Sequence, residues 1–163
     1  MADLRNINHI LIGYDRTKEY VINREIIRYN FPNGLDLWLT AVFNGDLDKI
    51  ASGCGENTFI TIPENTGYAY GALDAINAGL RFALAGYRDI VVLTNFDGFF
   101  FNQERYDNLI DDFIASGKPF GAGKHQSHKF PMSDLMLFKK DFLKEFLPLK
   151  AEVYPPRKDI DFL

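Results

Sequence analysis

The sequence predicts an α/β protein with a mostly parallel central sheet, and three observations carry that prediction. Short apolar runs alternate with amphipathic segments along the chain, the pattern of strands interleaved with helices. The run Ile90-Val91-Val92-Leu93 is apolar at consecutive positions, so it has no polar face and suits a strand covered on both sides. The early apolar runs also stop at residues that break strands: Gly13, Asn44-Gly45-Asp46 and Pro63.

Taken in order, His9-Ile10-Leu11-Ile12-Gly13 reads as a buried first strand. Thr17 can cap a helix with Glu19 in its first turn, and Val21, Ile22, Ile26 and Ile27 would give that helix its apolar face. Pro32-Asn33-Gly34 ends it, and residues 35–43 form a second strand. Phe59-Ile60-Thr61-Ile62 is a third strand. A long helix follows, because Ala69, Ala72, Leu73, Ile76, Leu80, Ala83 and Leu84 recur at spacings of three and four. Residues 89–94 make the fourth and most buried strand. A further helix carries Tyr106, Leu109, Ile110, Phe113 and Ile114 on one side, with Asp107, Asp111 and Asp112 expected on its solvated face. Residues 118–123 read as a fifth strand, 135–138 as a short sixth, and 142–147 as a short helix.

A chain of 163 residues is one domain's worth, so residues 1–163 are expected to form a single unit. The net charge of −4 argues against nucleic acid as a partner, which would need a basic face. Cys54 is the only cysteine, so no internal disulfide is expected. No basic-then-apolar leader and no apolar run near 20 residues occurs, which predicts a cytoplasmic protein with no transmembrane segment.

Ligands of open parallel sheets bind beyond the carboxyl ends of the strands. The positions to inspect are therefore Tyr14, Asp15, Arg16, Asn44, Asp46, Asn65, Gly67, Asn95 and Asp97. Thr94-Asn95-Phe96-Asp97-Gly98 closes the most buried strand, which sets the Asp97 carboxylate at the crevice and not in the core. A carboxylate with a neighbouring amide suits a hard divalent cation that keeps water and takes its other ligands from phosphates. The same strand end also suits a plain Asp-Gly turn. Glu64-Asn65-Thr66-Gly67-Tyr68 can deliver an anion to a helix N-terminus, or serve only as a capped helix start. His125 and His128 lie on a polar loop and read as a surface segment.

Three of these segments stand in a familiar order: Asn65-Thr66-Gly67-Tyr68-Ala69-Tyr70-Gly71, then Ile76-Asn77-Ala78-Gly79-Leu80-Arg81-Phe82-Ala83-Leu84, then Val91-Val92-Leu93-Thr94-Asn95-Phe96-Asp97. Together they resemble the inverting GT-A glycosyltransferases, especially the rhamnosyltransferase-like branch. The resemblance spans most of the chain and is specific from Asn65 to Asp97. It implies a three-layer nucleotide-diphospho-sugar transferase fold. It also implies a nucleotide-sugar donor and Mn2+ or Mg2+ bound by Asp97 with Asn95 beside it. Tyr14, Asp15, Arg16, Asn44 and Asp46 occupy the places of the family's nucleoside-contacting loops. Lys158-Asp159-Ile160-Asp161-Phe162 looks like the family's base motif, which makes Asp159 the catalytic base, with Arg157 near the diphosphate.

The chain departs from that pattern in three places. About four extra residues, roughly one helical turn, separate the two asparagine-glycine motifs near residues 72–75. Lys158 replaces the acidic residue before the base. The sequence ends at Leu163, where relatives usually continue with helices over the acceptor. Donor binding is thus better supported than transfer, and a second copy or partner chain could complete the acceptor side. The leading expectation is a metal-dependent transfer of sugar from a nucleotide diphosphate to an acceptor hydroxyl. The alternative is a catalytically silent nucleotide-binding or interaction domain that keeps the same core. A nucleotidyltransferase ranks behind both, because that family needs a glycine-rich basic loop after its first strand and residues 13–16 hold one glycine.

Overall fold

The computed structural model describes residues 6–13, 17–31, 38–44, 58–62, 68–124 and 131–149, with only the backbone described for the second and third strands. In chain order the elements are β1 (Ile7–Gly13), α1 (Thr17–Asn30), β2 (Trp38–Asn44), β3 (Thr58–Ile62), α2 (Tyr68–Ala85), β4 (Ile90–Asn95), α3 (Gln103–Ala115), β5 (Phe120–Lys124), β6 (Pro131–Lys139) and α4 (Lys140–Phe146). No helix among the described residues is long and apolar enough to cross a membrane.

The six strands form one sheet in the order β3-β2-β1-β4-β6-β5. β1, β2, β3 and β4 pair parallel, while β6 runs antiparallel to both β4 and β5. The chain therefore steps outward from β1 to β3, then returns to place β4 on the other side of β1. That reversal makes the β1–β4 boundary the topological switch point, where a crevice opens beyond the carboxyl ends. Strands β1 and β4 supply the middle of the core: Ile10, Leu11, Val91, Val92 and Leu93 are fully buried.

Alternation along each strand sorts the core into two layers. On one face Ile7, Leu11, Val92 and Phe96 pack against Tyr20, Ile27 and Phe31 of the α1 region and Tyr106, Ile110 and Phe113 of α3. On the other, Ile10, Ile12, Val91, Leu93, Met136 and Phe138 pack against Ala75, Ile76, Leu80 and Ala83 of α2 and Leu143 of α4. The expected three layers are present.

Three details correct the sequence reading. The buried stripe of α1 is Tyr20, Asn23, Ile27 and Phe31, whereas Ile22 is 52% exposed. The stripe follows the spacing i, i+3, i+7, i+11, and Ile22 falls about 100° to one side of Asn23. β6 is nine residues long: residues 135–139 pair with β4, and residues 131–132 and 136–138 pair with β5 across a register shift. Asp107 is buried, not solvated.

Several local devices fix the ends of elements. Asn102 caps α3, its side-chain oxygen accepting from the Arg105 amide at 2.9 Å. Gly117 follows that helix with φ +68, a left-handed conformation that a side chain would strain. At the amino edge, Asn6 donates to Asp89 at 3.0 Å and accepts from the Asp89 amide at 2.9 Å, tying the start of β1 to the start of β4. After α4 the chain returns along α2. There Asn77 donates to the Leu149 carbonyl at 3.0 Å and accepts from the Leu149 amide at 2.8 Å.

Candidate functional site

The carboxyl edge is built by register. Ile12 of β1 pairs with Asn95 of β4, Gly13 pairs with Phe43 of β2, and Thr94 pairs with Leu135 of β6. Asn44, Gly13, Asn95 and Asp134 thus stand along one edge, in that strand order. Strands lie about 4.8 Å apart, so the edge of β2 is about 10 Å from that of β4.

Beyond Asn95 the ladder continues for one residue: the Phe96 amide donates to the Ile12 carbonyl at 2.8 Å. The Gly98 amide then donates back to the Asn95 carbonyl at 2.9 Å, which closes a tight turn around Phe96 and Asp97. Phe96 points into the core and is fully buried, while Asp97 is exposed. Alternation at the end of β4 produces that contrast: the turn is anchored by its aromatic and offers its carboxylate.

Four contacts hold this turn. The Phe96 ring lies against Tyr20 of α1, with centroids 5.4 Å apart. The same ring covers Gly13 so closely that a Cβ there would lie 2.2 Å from a ring carbon. Glycine at the end of β1 is what lets the ring in. Asn23 of α1 donates to the Phe96 carbonyl at 3.0 Å and to the Gly98 carbonyl at 2.8 Å. On the far side, Asn95 donates to the Asp134 carboxylate at 2.7 Å, which brings a second acidic residue next to the turn.

Below the turn, on the α1–α3 face, lies a group of buried polar side chains. His9 Nε2 and Thr94 Oγ1 are 3.0 Å apart, and the imidazole stacks on Tyr106 with centroids 5.8 Å apart. His9 Nδ1, the Tyr106 hydroxyl and Asp107 Oδ1 are buried without a hydrogen-bond partner. Burial pulls the His9 pKa down to about 3 and pushes that of Tyr106 up, the latter with a further contribution from the Asp107 charge. Burial also raises the Asp107 pKa, and the Asp111 charge adds to it.

Of the residues singled out in the sequence, Asn44, Asn95 and Asp97 lie at the carboxyl edge. Tyr14, Asp15, Arg16, Asp46, Asn65, Gly67, Arg157 and Asp159 lie outside the described residues. The first three of these follow β1, the strand beside β4. Two residues not expected at the site join it: Asp134, four residues into the antiparallel strand β6, and Asn23, inside α1. Asn23 did leave a signal, a lone amide on an otherwise apolar stripe. No group of three or more His, Cys, Asp or Glu side chains able to hold a metal occurs among the described residues. The edge instead offers the Asp97 carboxylate with Asn95 and Asp134 nearby. That donor set fits a hard cation retaining waters and phosphate ligands, not an all-protein cage.

No protein-family model matches the sequence, and no curated protein does. Solved structures do match the fold. A mannosyltransferase from Pyrobaculum calidifontis, PcManGT, in complex with GDP-Man and Mn2+, superposes with a TM-score of 0.67 at 15% identity, over 87% of this chain and 46% of that one. A cytidylyltransferase from Leptospira borgpetersenii gives 0.58 at 10% identity, over 90% and 65%. S. aureus TarS in complex with UDP-GlcNAc gives 0.58 at 11% identity, over 92% and 48%. The chain thus has the GT-A-like α/β fold of nucleotide-sugar transferases, and spans roughly half to two thirds of the length of these three chains.

Proposed function

We propose that this chain is the donor-binding unit of a metal-dependent glycosyltransferase, which moves a sugar from a nucleotide diphosphate to an acceptor hydroxyl with inversion. The observation that carries the reading is the exposed Asp97 carboxylate, held on a braced turn at the β1–β4 switch point. Two neighbours of the same fold, with GDP-Man and Mn2+ in one case and UDP-GlcNAc in the other, support it.

In this reading residues 1–163 act as one unit. Asp97 holds Mn2+ or Mg2+, which when bound offsets the charge that develops on the departing diphosphate. Asn95, paired with Asp134, lines the same edge. Tyr14, Asp15, Arg16, Asn44, Asp46, Asn65 and Gly67 contact the donor, and Arg157 pairs with its phosphates. Asp159 takes the proton from the acceptor hydroxyl as it attacks the sugar from the face opposite the diphosphate. Inversion follows from a single displacement without a covalent enzyme intermediate.

The test is calorimetric titration with UDP, GDP, dTDP and CMP, with and without manganese, in wild type and Asp97→Ala. Asp97 is exposed, so the substitution should leave the fold intact. The metal-dependent part of the affinity should disappear. Equal metal-independent binding in both proteins would end the metal-site assignment. Tight metal-dependent binding without transfer or donor hydrolysis would shift the reading to a silent nucleotide-binding domain.

A further inference from the structure

Asn23 sits midway along α1, on the stripe that buries Tyr20, Ile27 and Phe31. It is fully buried. Helix propensity disfavours asparagine in a helix interior, because its amide competes with the backbone. Burial disfavours it again, since Oδ1 has no hydrogen-bond partner. An aliphatic residue would satisfy both helix and core. What Asn23 supplies is a single amide nitrogen whose two hydrogens reach two carbonyls, Phe96 at 3.0 Å and Gly98 at 2.8 Å. Both acceptors are backbone carbonyls, so the amide can face them only with its nitrogen.

The first belongs to the peptide that enters Asp97, the second to the Gly98–Phe99 peptide one residue beyond it. We infer that Asn23 is a positioning residue for Asp97: it clamps the Phe96–Asp97 peptide plane and the Gly98–Phe99 plane one residue beyond the carboxylate, and so fixes the turn that directs Asp97 at the switch point. The inference rests on the reading of Asp97 as the metal-holding residue. Planarity gives the clamp its reach. In a trans peptide the carbonyl and the following N–H point in opposite directions. Turning the Phe96 and Gly98 carbonyls toward Asn23 therefore turns the Asp97 and Phe99 amides away from α1. One side chain orients a carboxylate and the two N–H groups around it. The neighbouring contacts do different work: Tyr20 and Gly13 hold the Phe96 ring, and the Gly98-to-Asn95 bond closes the turn. Asn23 grips the chain before and after Asp97 from a single side chain.

The experiment compares wild type, Asn23→Leu and Asn23→Ala by two readouts. Leucine fills the space and removes both donors; alanine removes them but leaves room for a water to bridge the carbonyls. The first readout is amide hydrogen exchange at residues 97–99, which needs no ligand. Exchange should accelerate in Asn23→Leu, less so in Asn23→Ala, with α2 and β1 unchanged. The second is titration with UDP and GDP, with and without manganese. The metal-dependent affinity should fall about 10–100-fold in Asn23→Leu, as for other residues that orient a metal ligand, while metal-independent binding stays at its wild-type value. Unchanged exchange at 97–99 overturns the clamp. Faster exchange with unchanged metal-dependent affinity also overturns the inference, since the amide would then serve the fold alone. Wild type that binds neither nucleotide in a metal-dependent way overturns the proposed function, and with it the clamp's purpose. That failure is recognisable because the exchange comparison still reads the clamp itself.

Discussion

The two faces of the sheet are packed in different ways. The face under α2 and α4 is almost wholly apolar: Ile10, Ile12, Val91, Leu93, Met136 and Phe138 meet Ala75, Ile76, Leu80, Ala83 and Leu143, and Asn8 is the buried polar residue that alternation along β1 places there. The face under α1 and α3 carries aromatic rings and, among them, His9, Asn23, Thr94 and Asp107 as buried polar groups. Four polar atoms there, His9 Nδ1, Asn23 Oδ1, Tyr106 Oη and Asp107 Oδ1, are buried without a partner. Such atoms cost stability, and a protein that keeps several on one face has a reason local to that face. The turn bearing Asp97 is braced from that side. The first face is scaffold; the second braces the turn of the candidate site.

The contrast predicts different responses to mutation and pH. The largest effect is expected on the apolar side. Leu80 is fully buried there, and Leu80→Ala should cost about 3 kcal/mol by urea unfolding, with the same loss at pH 7 and pH 5. A loss that varied with pH would mean that the two faces are not separate.

On the polar side the expected effect depends on pH. The buried His9 binds a proton only near pH 3, whereas the unfolded imidazole binds one near pH 6.5. Between these values the unfolded state holds more protons, so stability falls as pH drops, by at most about 1.4 kcal/mol per unit. About 2 kcal/mol should go between pH 6.5 and pH 5, and His9→Leu should flatten that slope. A His9→Leu protein with the wild-type slope would assign the acid lability to other groups.

The smallest effect is a gain. The Asp107 carboxyl has its pKa raised by burial and by Asp111, so its ionised form opposes folding at neutral pH. For a raised carboxyl the native state holds the proton longer, and stability rises as pH falls. Asp107→Asn should therefore stabilise the protein slightly at pH 7, and the gain should vanish as pH falls through the raised pKa. Thermal melts at neutral and acid pH check both parts.

The apolar face was the more legible of the two. Leu73, Ile76, Leu80 and Ala83 announce their helix by spacing alone, and the consecutive apolar residues of β4 announce a central strand. Apolar periodicity reports burial when burial is made of apolar residues. It failed on α1, where Asn23 interrupts the stripe and Ile22, though apolar, faces outward. It failed again at Asp107, which its charge assigned to solvent. The reversal of β6 was hidden for another reason: strand direction is a matter of connection length. Only residues 125–130 separate β5 from β6, too few for a parallel crossover. At the site, the end of β4 was legible because a charge follows a fully apolar run. Asp134 was not, because its place depends on a pairing between segments some forty residues apart.

The clasp between Asn77 and Leu149 gives α2 a metric role. One amide side chain meets one peptide as a neighbouring strand would, donor to acceptor and acceptor to donor. The returning chain is thereby notched to a single rung of the helix. Sliding that rung by four residues would carry the notch about 6 Å along the axis and turn it by only about 40°. Helix length is then a gauge that sets where the chain crosses the back of the sheet, adjustable in steps of one turn without rewriting the face beneath.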